Sequence, residues 1–187
     1  MTQPICDGWL ASARQCPSPN HNERPEDVRI SLLVIHNISL PPEQYGTGYI
    51  ESFFCNQLPA QDHPYFETIA GLRVSAHLLI DREGELVQFV ALDRRAWHAG
   101  ASEFQGRSEC NDFSIGIELE GSDHIPYTPA QYERLAAVTG LLLSRYPELT
   151  PGRIVGHSDI APGRKTDPGP AFDWAHYRSL LGVDRPL

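Results

Sequence analysis

The amino-acid sequence predicts a single α/β domain, on three observations. Apolar runs at Leu32–Ile35 and Ile154–Val155 each lead into a histidine, as buried strands do when they leave a core. Phe113 to Glu120 alternates strictly, with Phe113, Ile115, Ile117 and Leu119 on one side and Ser114, Gly116, Glu118 and Glu120 on the other. Thr128-Pro129-Ala130-Gln131 is a capping-box start with proline at the first helical position. With 187 residues, 41% of them hydrophobic, the chain can bury one good core but is short for two.

The elements follow in order. Pro17 to Pro25 is turn-rich and predicts a loop, Ser31 to Asn37 a central strand, and Tyr49 to Asn56 a short helix. Arg73 to Ile80 and Glu85 to Val90, joined by Asp81-Arg82-Glu83-Gly84, predict a hairpin. Ser102 to Cys110 reads as a loop bordering a cleft, and Arg153 to His157 as a second strand that delivers a histidine. The helix opened by Thr128 carries Tyr132, Leu135, Ala136, Thr139, Leu142, Leu143 and Tyr146 on one stripe, so it should cover a sheet face. Asp173 caps a last helix through Tyr177, Leu180 and Leu181, with Gly182 to end it.

The chemistry concentrates in Gly156 to Pro170. Prolines and glycines at 162, 163, 168, 169 and 170 fix the backbone there, so that His157, Lys165 and Asp167 can be held at one point. The same residues also suit a stiff surface loop. His36, at the end of its strand, by itself reads more readily as a hydrogen-bonded structural histidine than as a ligand. Together, two strands place two imidazoles at one sheet edge and the loop returns a carboxylate to it. Zinc commonly takes two histidines and one carboxylate, so His36, His157 and Asp167 form the candidate ligand set.

A zinc site that activates water for attack on a carbonyl also needs a proton carrier and a charge to balance the oxyanion. Glu118 is placed for the first, beside Gly116, where substrate or backbone could approach closely; the plain alternative is that Glu118 and Glu120 solvate an exposed face. Lys165, two residues before Asp167, suits the second, or is an ordinary loop lysine. Trp97 and His98 suit the wall of a sugar site, although Trp97 could be simple core. His77 reads as structural, and His21, His63, His124 and His176 as surface residues.

Four segments, Leu33–Pro42 (LVIHNISLPP), Arg95–Gly100 (RAWHAG), Asn111–Gly121 (NDFSIGIELEG) and His157–Pro170 (HSDIAPGRKTDPGP), resemble the zinc-dependent N-acetylmuramyl-L-alanine amidases, and the likeness runs in order from about Gly8 to Trp174. The resemblance implies that His36, His157 and Asp167 bind zinc, that Glu118 is the catalytic acid/base and Lys165 the oxyanion partner, and that Asn37, Arg73 and Trp97 contact substrate. It implies a mixed central β-sheet flanked by helices, the fold shared with peptidoglycan recognition proteins. It further implies a soluble anhydromuropeptide substrate, cut between the lactyl group of muramic acid and L-alanine during cell-wall recycling. One departure stands at Glu109, where the family commonly carries a basic residue before its Cys-Asn-Asp-Phe-Ser run; the carboxylate would weaken a contact to an acidic stem peptide. The readings set against this are a recognition module that holds the same ligand without cutting it, and a metal deacetylase or endopeptidase acting on wall fragments.

Charge and cysteines bound the setting. Fifteen basic against 24 acidic side chains give a net charge of -9, which argues against nucleic acid or an anionic membrane as partner. Residues 1–10 lack a basic start followed by an apolar run, and no segment approaches the ~18 apolar residues of a membrane span. Cys6, Cys16, Cys55 and Cys110 form neither a CxxC pair nor a disulfide framework. A cytoplasmic, monomeric enzyme is the expectation.

Overall fold

The structure, a computed structural model, describes residues 5–182. Its centre is a sheet of β1 (Arg14–Gln15), β2 (Leu32–Ile38), β3 (Leu78–Ile80), β4 (Leu86–Gln88), β5 (Ser114–Glu120) and β6 (Ile154–Gly156). The six strands lie in the order β6-β2-β5-β3-β4-β1. β6, β2, β5 and β3 run parallel, β4 returns antiparallel to β3, and β1 is parallel to β4, so the sheet is mixed as expected. Both seven-residue strands, β2 and β5, sit inside the sheet and are covered on both faces, which is why β5 is buried throughout despite its polar side.

The helices are α1 (Tyr49–Phe54), α2 (Pro64–Ile69), α3 (Pro129–Arg145), α4 (His157–Ile160) and α5 (Trp174–Leu180). One sheet face, carrying Leu33, Ile35, Ile115, Ile117 and Leu119, packs on Tyr132, Leu135, Val138 and Leu142 of α3 and Tyr177 of α5. Each such buried side chain contributes roughly 1.5–3 kcal/mol, so this stripe is the main support of the fold. The capping box forms as predicted, with Thr128 accepting from the Gln131 N–H and Gln131 accepting from the Thr128 N–H. The Gln131 amide also donates to the carbonyls of Ile80 and Glu120, fixing the helix to two strands.

The other sheet face is covered in two separate places. Ile50, Phe53 and Phe54 of α1 and Phe66 of α2 pack with Leu79, Val87 and Phe89. Leu32 and Val34 pack with Ile160 of α4, Ala99, Cys110 and Phe113. His36 follows Leu32 and Val34 on that face by strand alternation and stands between these two clusters. The uncovered gap between them is where the polar residues gather.

Several boundaries differ from the sequence reading. His157 does not end a strand; it opens the one-turn α4, stabilised because Asp159 accepts from the Gly156 N–H. The hairpin is shorter than predicted, with strand pairing only over Leu78–Ile80 and Leu86–Gln88, and His77 sits at a bend before it. Ser102 to Cys110 is not an open loop, because Glu103–Phe104 pairs with Arg107–Ser108 in a small hairpin. His21 is not a plain surface residue, since His21–Asn22 pairs with Arg95–Ala96. Helix α2 was not foreseen; His63 caps it by accepting from the Tyr65 N–H. Among the described residues no helix is long and apolar enough to cross a membrane.

Candidate metal centre and cleft

Three chain segments meet at one point. β2 brings His36, α4 brings His157, and the Pro162–Pro170 loop brings Asp167. His36 Nδ1, His157 Nδ1 and Asp167 Oδ2 form a triangle with all three sides 3.0 Å. Gly156 permits this closure, because a Cβ there would stand 2.8 Å from Cδ of Pro168, the residue after Asp167. The Ser158 N–H also donates to the Asp167 carbonyl, which ties the loop to α4.

The triangle suits a metal ion, and its donor chemistry suits zinc. Two imidazoles and a carboxylate are the donors that catalytic zinc sites use, and tetrahedral ligands at about 2.0–2.1 Å from zinc stand roughly 3.3 Å apart. Burial lowers the His36 pKa to about 4, against the opposing pull of Asp167, so the ring stays neutral as a ligand must. Burial pushes the Asp167 pKa up, but the adjacent His157 and His36 outweigh it and hold the carboxyl below its usual range. Both histidines turn Nδ1 inward and leave Nε2 to be held from behind. His157 Nε2 donates to the Ala99 carbonyl at 3.1 Å.

Glu118 lies beside the triangle, paired in register with His36. It is 8% exposed, and its Oε2 has no hydrogen-bond partner. Burial, reinforced by the charge of Asp167 and opposed by Lys165, pushes its pKa well above the usual carboxylate range. A carboxyl shifted in that direction holds a proton more readily than a free carboxylate, as a proton carrier must. Glu120, on the same side of β5, does different work. It accepts from the backbone N–H groups of Gly46 and Arg82, so it braces two loops and neither glutamate solvates an open face.

These groups open onto a cleft of about 360 Å³. Its polar floor includes His36, His157, Asp167, Glu118, Lys165 and Asn37, and its apolar wall includes Phe53, Phe54, Tyr65, Ile69, Leu72 and Trp97. That volume is in the range of small-ligand sites.

A family model for N-acetylmuramoyl-L-alanine amidases matches residues 26–170, which include every candidate site residue. The chain belongs to this amidase family. It is 58% identical over 175 residues to the 1,6-anhydro-N-acetylmuramyl-L-alanine amidase AmpD of Citrobacter freundii, covering 94% of this chain and 93% of that protein. The crystal structure of a selenomethionine derivative of AmpD superposes with a TM-score of 0.92 at 58% identity, over 95% of this chain and 98% of the other. The amidase AmiD of Escherichia coli, solved in complex with the substrate anhydro-N-acetylmuramic acid-L-Ala-D-γ-Glu-L-Lys, superposes with a TM-score of 0.60 at 29% identity, over 87% of this chain and 62% of the other.

In the amidase, the sequence-predicted residues do not all stand in equivalent places. Lys165 is exposed and reaches both the cleft and the neighbouring polar surface depression. Trp97 lines the wall with its Nε1–H donated to Asn22 Oδ1, so it is not simple core. Asn37 lines the floor but uses its amide to hold the Asp123 carboxylate and the Pro168 carbonyl. Arg73 lies outside the lining between wall residues Leu72 and Val74, with its guanidinium on the carbonyls of Ala70 and Leu72. Glu109 points away to Arg95, and no residue from 102 to 110 lines the cleft, contrary to the expected border.

Three contributors were not foreseen. Tyr65 and Ile69 of α2, with Leu72 just after it, supply much of the wall, but α2 is too short to show a periodicity. Arg164 spans from the loop to the carbonyls of Ala99 and Ala101, clamping the segment that holds His157. The Gly116 gap is filled by neither substrate nor backbone: a Cβ there would meet the His98 ring at 2.5 Å.

Proposed function

We propose that this chain is a zinc-dependent enzyme that hydrolyses the amide between the lactyl group of 1,6-anhydro-N-acetylmuramic acid and the L-alanine of a stem peptide. The observation that carries it is the 3.0 Å triangle of His36, His157 and Asp167 beside a buried carboxyl, Glu118, with a partnerless oxygen. The names of AmpD and of the AmiD complex support the substrate. The whole chain is proposed as one amidase domain; residues 1–4 and 183–187 lie outside the described part.

His36, His157 and Asp167 would hold the zinc ion. Bound there, zinc supplies the Lewis acidity that polarises a carbonyl and activates water at neutral pH. Glu118 takes the proton from the attacking water and returns it to the departing alanine nitrogen, a task its raised pKa suits. The Lys165 ammonium balances the negative charge that develops on the carbonyl oxygen. Trp97 offers a flat apolar face to the sugar, Asn37 keeps the Asp167 loop against the floor, and Arg73 gives the rim a cation for an acidic stem.

The setting proposed is a monomer in a reducing cytoplasm, with neither nucleic acid nor membrane as partner. Cys6, Cys16, Cys55 and Cys110 as free thiols support the compartment, and the net charge of -9 supports the absence of polyanionic partners. The deciding experiment is mass spectrometry of the purified protein with anhydro-N-acetylmuramyl-tripeptide, before chelation, after it, and with zinc restored. Free tripeptide that disappears on chelation and returns with zinc is the expected result. Intact ligand that nevertheless binds would instead make the protein a recognition module, and cleavage elsewhere would overturn the bond assignment.

A further inference from the structure

His98 stands immediately behind His36. His36 Nε2 is 2.9 Å from His98 Nδ1, and the rings meet edge to face at 82° with centroids 5.0 Å apart. On its far side His98 Nε2 is 3.1 Å from Ser114 Oγ, and its backbone N–H is fixed by Asn111 Oδ1. Gly116 leaves the room for this ring, since any Cβ would lie within 2.7 Å of three of its atoms. Ser114 and Gly116, on the same side of β5 as Glu118, are thus the floor and socket of one imidazole.

The proton positions follow from the triangle. His36 Nδ1 must present a lone pair to a metal, so the ring's single proton sits on Nε2 and is donated outward. His98 Nδ1 is the atom that receives it, which puts the His98 proton on Nε2, aimed at the Ser114 hydroxyl. His157 has the same need and meets it with the Ala99 carbonyl, a backbone acceptor that no substitution removes. His36 depends on a side chain.

We propose that His98 is a positioning residue for the metal centre, accepting the Nε2–H of His36 and so holding its Nδ1 toward His157 and Asp167, with Ser114 orienting His98 in turn. This rests on the zinc reading above and deepens it. Partners of this kind behind a ligating histidine affect metal affinity by about 10–100-fold when removed.

The test measures zinc affinity by chelator competition, with the visible spectrum of the cobalt-substituted protein as a second readout. His98→Leu, which keeps bulk but has no acceptor, is expected to bind zinc about 10–100-fold more weakly and to shift the cobalt bands. His98→Asn, whose Oδ1 overlays the lost Nδ1, is expected to recover most of that loss; a role in packing alone would not follow the acceptor. Should the leucine variant fail to fold, Ser114→Ala decides, weaker zinc binding supporting the proposal and unchanged binding overturning it. Wild-type affinity in a folded His98→Leu variant overturns it outright. Failure of the wild-type protein to bind zinc would sink the zinc reading instead, so the two failures are distinguishable.

Discussion

Glu118 stands directly opposite His36 in the parallel pairing of β5 with β2. Neighbouring strands lie about 4.8 Å apart, so the register starts both side chains from adjacent backbone positions at the donor triangle. The Glu118 Oε2 has no hydrogen-bond partner there.

Glu118→Gln should therefore fold normally and take up zinc normally, because the residue is not a donor. Turnover should fall about 10²–10⁴-fold, the usual worth of a positioned proton carrier. Steady-state kinetics beside metal analysis would check this, and wild-type turnover in the glutamine variant would remove Glu118 from the mechanism.

Lys165 carries a charge to the cleft without belonging to the triangle. Lys165→Ala is expected to lose about 10²–10³ in kcat, as when one oxyanion donor is deleted, with zinc content unchanged. His157→Ala should lose both together. Equal zinc loss in the two variants would place Lys165 in the metal site rather than beside it.

His77 gives the stability a pH dependence. Burial, helped by the charge of Arg24, lowers its pKa to about 3, and its neutral form accepts from the Gly116 N–H at Nδ1. The unfolded chain takes up that proton near pH 6.5, so the contribution is complete above about 6.5 and shrinks as pH falls toward 3, by up to about 1.4 kcal/mol per unit. Denaturant midpoints from pH 7 to 4 should fall less steeply in His77→Gln. An unchanged slope would mean that other groups carry the acid sensitivity.

Thr128 closes the capping box of α3 and also donates to the Arg82 carbonyl. Thr128→Ala should cost about 1–2 kcal/mol, visible as a Tm lowered by about 2–8 °C. Activity at 25 °C should be untouched, since α3 covers the sheet face away from the cleft. A fall in activity without a fall in Tm would contradict this.

The triangle and Glu118 were legible because strand alternation assigns faces and because Pro and Gly confine the 162–170 loop. Their burial was not legible, since β2 and β5 became neighbours through a strand order that leaves no trace in local pattern. Gly116 carried a readable signal, a close approach, but nothing local identified the approaching group as His98, whose ring arrives from 18 residues upstream. Helix α2 and the Glu103–Ser108 hairpin lie below the length at which periodicity can be read. His157 was placed at a strand end because its apolar lead-in dominated, whereas the Asp159 contact to the Gly156 N–H ends the strand at Gly156 and starts a helix at His157.

The pairing of β6 with β2 joins Ile154 to Leu33 and Val155 to Val34. During synthesis, therefore, His36 is made long before anything that can complete its site. The partner of β2 at that edge comes from residues 154–156 and the last donor from residue 167, so the triangle is incomplete until nearly the whole chain is made. A chain cut just upstream of residue 167 would carry the sequence of all six strands and still lack one donor of the triangle.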